Sequence, residues 1–207
     1  SLEAKKRFAY VPELPALFPA LTVVEHLEYI KRAYRSEITD AELDSLLERF
    51  EMSDKKGKLG NELSKGMMQK LSICCALAIK PSVLLLDEPM VGLDPVAIKE
   101  LKKLIMELKS QGVTVLISTH MLEMVKELWD YVFIMKDGKL VGTYANTPEY
   151  NGDIERIFFE ITGDAQSHDE NDTELLQCAD SESDGELCND EKSCEDDMHR
   201  TDEEAKL

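Results

Sequence analysis

The feature that constrains this chain most is the apolar run Val83-Leu84-Leu85-Leu86 and the two carboxylates, Asp87 and Glu88, that close it against Pro89. A short, continuously apolar run of this kind is what a parallel strand shows when both of its faces are covered. Open α/β sheets place their ligand chemistry at the C-terminal ends of such strands, where the two carboxylates fall. One could hold a hydrated metal ion, and the other could orient or deprotonate a water. A second buried strand is expected over Val113–Ile117, with His120 just beyond its end and so at the same sheet edge as Glu88. Upstream, Leu63-Ser64-Lys65-Gly66-Met67 heads an apolar helix in which Met67, Leu71, Cys74 and Ala78 recur at helical spacing. Ser64 can cap that helix, whose free N–H groups and positive dipole end favour an anion. Gly66 lets an oxygen-rich ligand approach the backbone closely. Every piece points at phosphate.

In this order and spacing the segments resemble the nucleotide-binding domain of the ATP-binding cassette (ABC) family. Leu63–Met67 is similar to its signature motif, Val83–Asp87 to its Walker B strand and Glu88 to its catalytic glutamate. Gly92-Leu93-Asp94-Pro95 is similar to its D-loop and His120 to its switch histidine. Tyr10-Val11-Pro12-Glu13 resembles its Q-loop, with Glu13 where the family has glutamine; a carboxylate accepts hydrogen bonds or binds a cation but cannot donate as the amide does. The resemblance covers about residues 8–162.

It implies an α/β P-loop NTPase core, its C-terminal part, with an inserted helical subdomain, and ATP and Mg²⁺ as ligands. Asp87 would hold Mg²⁺ through water, Glu88 would polarise the attacking water and His120 would bridge to the γ-phosphate. Ser64, Lys65 and Gly66 would bind nucleotide in trans, Asp94 would link two sites, and Glu13 would sense a membrane partner. The implied partners are a second nucleotide-binding domain, paired head to tail, and separate membrane-spanning subunits. The implied location is cytoplasmic, on the membrane face. Glu13, the Lys65-Gly66-Met67 form of the signature and the ending Ile157–Gly163 look most like bacterial exporter ATPases.

The family's G-x-x-x-x-G-K-[ST] phosphate loop occurs nowhere in these 207 residues. The expectation is therefore a C-terminal portion of a longer domain, with part of the central sheet uncovered and little activity alone. Two other readings stay open: a soluble, non-transport ABC ATPase, or an inactive module offering only a signature face.

Charge is unevenly distributed. Residues 163–207 carry 17 Asp/Glu against 3 Lys/Arg, a net of −14, and leave residues 1–162 at only −4. That composition predicts a disordered acidic tail over 163–207, and no basic face for nucleic acid. No apolar run approaches the ~18 residues of a membrane helix. The five cysteines are irregularly spaced, against a secreted disulfide framework. Cys74 and Cys75 read as core packing. Cys178, Cys188 and Cys194, with His168 and His199 nearby, match no zinc pattern.

Local signals divide the rest. Phe8–Val11 reads as a strand end, followed by a non-helical stretch containing Pro12, Pro15 and Pro19. Thr22-x-x-Glu25 and Thr39-x-x-Glu42 have capping-box spacing, the first opening a helix to about Tyr34 and the second placing Leu43, Leu46, Leu47 and Phe50 on one face. The helical subdomain should span about 15–80, and the segment from the Walker B strand to a C-terminal hairpin 81–162. Ile98, Leu101, Leu104, Ile105 and Leu108 mark a further amphipathic helix, and Met121 to about Leu128 another. Tyr131–Met135 and Lys139–Tyr144 flank Asp137-Gly138, a hairpin signal, before a last helix over Ile154–Ile161.

Overall fold

The computed structural model describes residues 6–147 and 154–162. The predicted tail, with its three cysteines, lies outside them. Three parallel strands, β1 (Phe8–Val11), β2 (Val83–Asp87) and β3 (Thr114–Ser118), form a sheet in the order β1-β2-β3. Its register aligns Ala9, Leu84 and Val115 in one row, Val11, Leu86 and Ile117 in another, and Asp87 beside Ser118. The helices are α1 (Val23–Tyr34), α2 (Asp40–Arg49), α3 (Lys65–Ala78), α4 (Pro95–Ser110), α5 (Leu122–Leu128) and α6 (Ile154–Thr162). Strands β4 (Tyr131–Lys136) and β5 (Lys139–Ala145) make an antiparallel hairpin.

Helix ends follow the sequence signals. Thr22 and Thr39 each accept from the N–H three residues on, while Glu25 and Glu42 return the bond to the cap's own N–H. Glu42 also accepts from Lys80 Nζ at 2.8 Å, so the start of α2 is tied to the end of α3. The Lys80 bond and the Thr39 donors together hold the Glu42 carboxyl at about 2. The hairpin turns through positive φ at Asp137 and Gly138, the backbone that Asp-Gly favours. Leu43, Leu47 and Phe50 bury together, with Leu46 half-buried beside them. Cys74 is fully buried and burial raises its thiol pKa; that of Cys75 is pushed up to about 12, so neither is a reactive thiol.

Strands β2 and β3 are covered on one face only, which departs from the reading of Val83–Leu86 as a strand covered on both faces and agrees with the expectation that part of the central sheet is uncovered. Ala9, Val11, Leu84 and Leu86 are buried under the helices. On the other face Tyr10, Leu85 and Leu116 lie in one row, and Tyr10 and Leu116 are each 52% exposed. An apolar run such as Val83–Leu86 fixes a strand but cannot say whether its second face has a cover. Strand β3 also runs one residue later than predicted, Thr114–Ser118, which carries the strand up to the site.

His26 sits in the first turn of α1. It is buried, its Nδ1 lies 2.7 Å from the Thr22 carbonyl and its Nε2 accepts the Phe18 N–H at 3.0 Å. Those partners require a neutral ring with the proton on Nδ1. This ring pins the proline-rich segment after β1 onto α1. No described helix is long and apolar enough to cross a membrane.

Candidate functional site

The site begins with a break in strand geometry. Successive side chains of a strand point to opposite faces, yet Asp87 and Glu88 both serve one edge. Glu88 adopts φ 42°, a left-handed conformation that a non-glycine residue seldom takes, and its N–H donates to the Ser118 carbonyl at 2.9 Å. The chain swings there, and the Glu88 side chain reaches across to the segment after β3.

Its carboxylate accepts three hydrogen bonds: from the His120 N–H at 2.9 Å, from His120 Nδ1 at 2.7 Å and from Thr119 Oγ1 at 3.0 Å. Thr119 in turn accepts the Met121 N–H, so its hydroxyl is oriented. With Nδ1–H donating to Glu88, His120 turns its Nε2 outward as an acceptor, or as a donor when the ring is protonated. The histidine is largely exposed and the glutamate mostly shielded. A carboxylate aimed in this way has the geometry a base needs to accept a hydrogen bond from a water.

Asp87 is gripped on both oxygens, by Ser118 Oγ on Oδ1 and by Tyr10 OH on Oδ2 at 3.1 Å. Donating to the carboxylate raises the phenol pKa of Tyr10. Each carboxylate oxygen carries a second lone pair, so the residue still fits a hydrated cation. Among the described residues no cluster of three or more His, Cys, Asp or Glu could hold a metal ion by itself. An ion on Asp87 therefore needs oxygens from another source, as Mg²⁺ takes them from phosphates and water.

The predicted anion-binding turn sits at the start of α3. Ser64 caps the helix, its Oγ accepting the Met67 N–H at 3.3 Å, and Ser64 and Lys65 are exposed. Gly66 has a second reason to lack a side chain. A Cβ there would lie 2.4 Å from the Gly92 carbonyl oxygen, and Gly92 itself has φ +83°. The signature turn and the segment after β2 are thus in backbone contact. Gly66→Val gains little helix propensity and forces these two backbones apart, at an expected cost of about 1–3 kcal/mol of stability. Denaturant unfolding of the chain reads this directly; an unchanged midpoint would show that the two segments separate freely.

Asp94 caps α4 through the Ala97 N–H at 2.9 Å and pairs with Lys70 Nζ at 2.7 Å. The Lys70 bond first, and the cap second, hold its carboxyl below the usual carboxylate range. The structure thus brings together Asp87, Glu88 and His120, and separately sets Gly66 against Gly92 while Lys70, one turn further along α3, holds Asp94. Glu13 stands exposed after β1, outside both hydrogen-bonded groups. Four residues that touch the predicted ones had no role assigned from sequence: Tyr10, Ser118, Thr119 and Lys70. Their only sequence signals are adjacency to His120 for Ser118 and Thr119 and membership of the Tyr10–Glu13 segment for Tyr10.

A parallel sheet with two hydrogen-bonded carboxylates at one strand end, beside a capped helix start, fits an α/β domain of the P-loop NTPase class. Comparison with known proteins narrows the class. The family model described as "ABC transporter" matches residues 2–91. The ABC-type transporter ATP-binding protein EcsA of Bacillus subtilis is 34% identical over 173 residues, 80% of this chain and 70% of that protein. The uncharacterized ABC transporter ATP-binding protein YhaQ of the same organism is 41% identical over 137 residues, 65% of this chain and 46% of its own length. A solved structure of the ATP binding subunit of an ABC transporter superposes with a TM-score of 0.71 at 31% identity, covering 78% of this chain and 70% of that one. The chain belongs to the ABC transporter ATP-binding family. It spans about half of YhaQ.

Proposed function

We propose that this chain supplies the water-activating and signature elements of an ATP-hydrolysing subunit that powers export through separate membrane-spanning subunits. The observation that carries this is the Asp87–Glu88–Thr119–His120 group, a cation-fitting carboxylate beside an oriented base on adjacent strand ends. When bound, Mg²⁺ and ATP supply the charge-neutralised phosphate to be attacked. Glu88 accepts a hydrogen bond from the attacking water, and His120 and Thr119 keep its carboxylate aimed. Asp87 holds the cation, with Ser118 and Tyr10 fixing its orientation. Ser64, Lys65 and Gly66 face the nucleotide of a second, head-to-tail subunit, where the helix start and its dipole favour phosphate. Glu13, exposed beside the segment that His26 pins, senses the membrane partner. The export direction rests on the resemblance of Glu13, Lys65-Gly66-Met67 and Ile157–Gly163 to exporter ATPases.

The absence of a G-x-x-x-x-G-K-[ST] loop from these residues sets the test. Calorimetric titration of this chain with Mg-ATP should show no micromolar binding, whereas the chain joined to a phosphate-loop segment should bind and hydrolyse ATP. Micromolar affinity of the chain alone would mean that the triphosphate sits elsewhere. The row of exposed Tyr10 and Leu116 about half-buried Leu85 supports this reading, since it offers an apolar sheet face that such a segment could cover.

A further inference from the structure

Three contacts join the first turns of α3 to the segment after β2. Gly66 backs onto the Gly92 carbonyl. Gln69 Nε2 donates to the Pro89 carbonyl at 3.4 Å, and Lys70 Nζ meets Asp94 Oδ2. Gln69 and Lys70 are only 1% and 8% exposed. These are not surface decorations. A buried ammonium left without its carboxylate is costly, so Lys70 constrains Asp94 and Asp94 constrains Lys70.

The contacts also change how Asp94 can act. Oδ1 accepts from Ala97 and Oδ2 from Lys70, so Asp94 is held from both α4 and α3 while its side chain stays partly exposed. A link between two sites that uses Asp94 is therefore tied to this chain's own α3. At the other end of the segment, Glu88 accepts from His120 and Thr119. Six residues connect Glu88 to Pro95, and they are fastened to α3 at Pro89, Gly92 and Asp94.

We infer that Lys70 is a positioning residue for ATP hydrolysis: through Asp94 it locks the nucleotide-facing turn Ser64–Gly66 to the segment that begins at Glu88. Nucleotide held in trans on Ser64–Gly66 is then felt at the water-activating carboxylate of the same chain, which belongs to the other composite site. The two sites of a head-to-tail pair communicate through one buried ion pair in each chain. This rests on the ATPase reading above, and it adds a residue and a route.

The test uses the chain joined to its phosphate-loop segment, measured as ATP turnover against ATP concentration. The parent should hydrolyse ATP with a Hill coefficient above about 1. In Lys70→Met the coefficient should fall to about 1 and kcat by about 10-fold, while KM moves less than about threefold. Lys70→Arg, which keeps a cation able to meet Asp94, should restore cooperativity. A purely structural lysine would lower the thermal midpoint and the active fraction without touching the Hill coefficient. If Lys70→Met loses its thermal transition, Lys70→Gln keeps a polar end in the same place and is read in the same way. In an Asp94→Asn background the lysine change should cost nothing further; effects that multiply independently would overturn the inference. An unchanged Hill coefficient in Lys70→Met, or hyperbolic turnover by the parent, would overturn it while leaving the ATPase reading intact. A parent that does not hydrolyse ATP overturns both.

Discussion

Glu88→Gln, in the chain joined to a phosphate-loop segment, should lower ATP turnover by about 10²–10⁴-fold, the usual contribution of a general base. That is about 3–5 kcal/mol of barrier at roughly 1.4 kcal/mol per decade. The amide matches the carboxylate in shape, and its oxygen can still accept from the His120 N–H and Nδ1 that now hold Oε1. The Thr119 hydroxyl, which donates to Oε2, would instead face an NH₂. What is lost is basicity, because an amide does not take a proton from water. Nucleotide binding should stay near the parent value, since Glu88 acts on the water and not on the triphosphate. Asp87→Asn should behave differently, weakening Mg-ATP binding as well as turnover, because it removes the charge that faces the cation. Steady-state hydrolysis and nucleotide affinity on both variants separate the roles. Turnover of Glu88→Gln within about twofold of the parent would remove Glu88 as the base and make His120 the next candidate.

Phe50→Ala should be the most damaging single truncation for stability. Phe50 ends α2 and is fully buried in the core that α2 and α3 share with the sheet. Removing a buried phenyl typically costs about 3–5 kcal/mol, from lost transfer energy and the cavity left behind. At about 2–4 °C per kcal/mol for a chain of this size, the thermal midpoint should fall by roughly 6–20 °C. Leu14, which is 70% exposed, is the control, and Leu14→Ser should change little. Circular dichroism melts of the two variants decide the matter. A shift below about 2 °C for Phe50→Ala would show that the site collapses around the missing ring.

What could be read from sequence divides by range. Capping boxes at Thr22 and Thr39 and the Asp137-Gly138 turn were legible because each is complete within four residues. Asp87, Glu88 and His120 were legible because strand ends of a parallel sheet converge and their order matches a known family. The strand Val83–Leu86 was located by its apolar run, but the missing cover on its second face was signalled only by the absent phosphate loop, because it depends on what packs there. Tyr10 on Asp87 and Lys70 on Asp94 were not legible at all, because each joins residues far apart in sequence through strand register or helix packing. Gly66 was read as room for a ligand, while its closest neighbour is the Gly92 backbone, a contact between segments that no local spacing reveals.

The pairing of β2 with β3 has a consequence beyond holding the sheet together. Asp87 lies beside Ser118, and Glu88 reaches the two residues that follow. A slip of one residue would reverse which face every β3 side chain occupies. It would also move Thr119 and His120 about 3.3 Å along the strand direction, beyond the reach of bonds that are now 3.0 Å or shorter. On the proposed function, turnover by the chain joined to a phosphate-loop segment would therefore be a ruler for correct assembly. Such a chain with its strands joined out of step would look folded by its helix content and yet hydrolyse no ATP, so turnover per folded molecule would measure the fidelity of refolding.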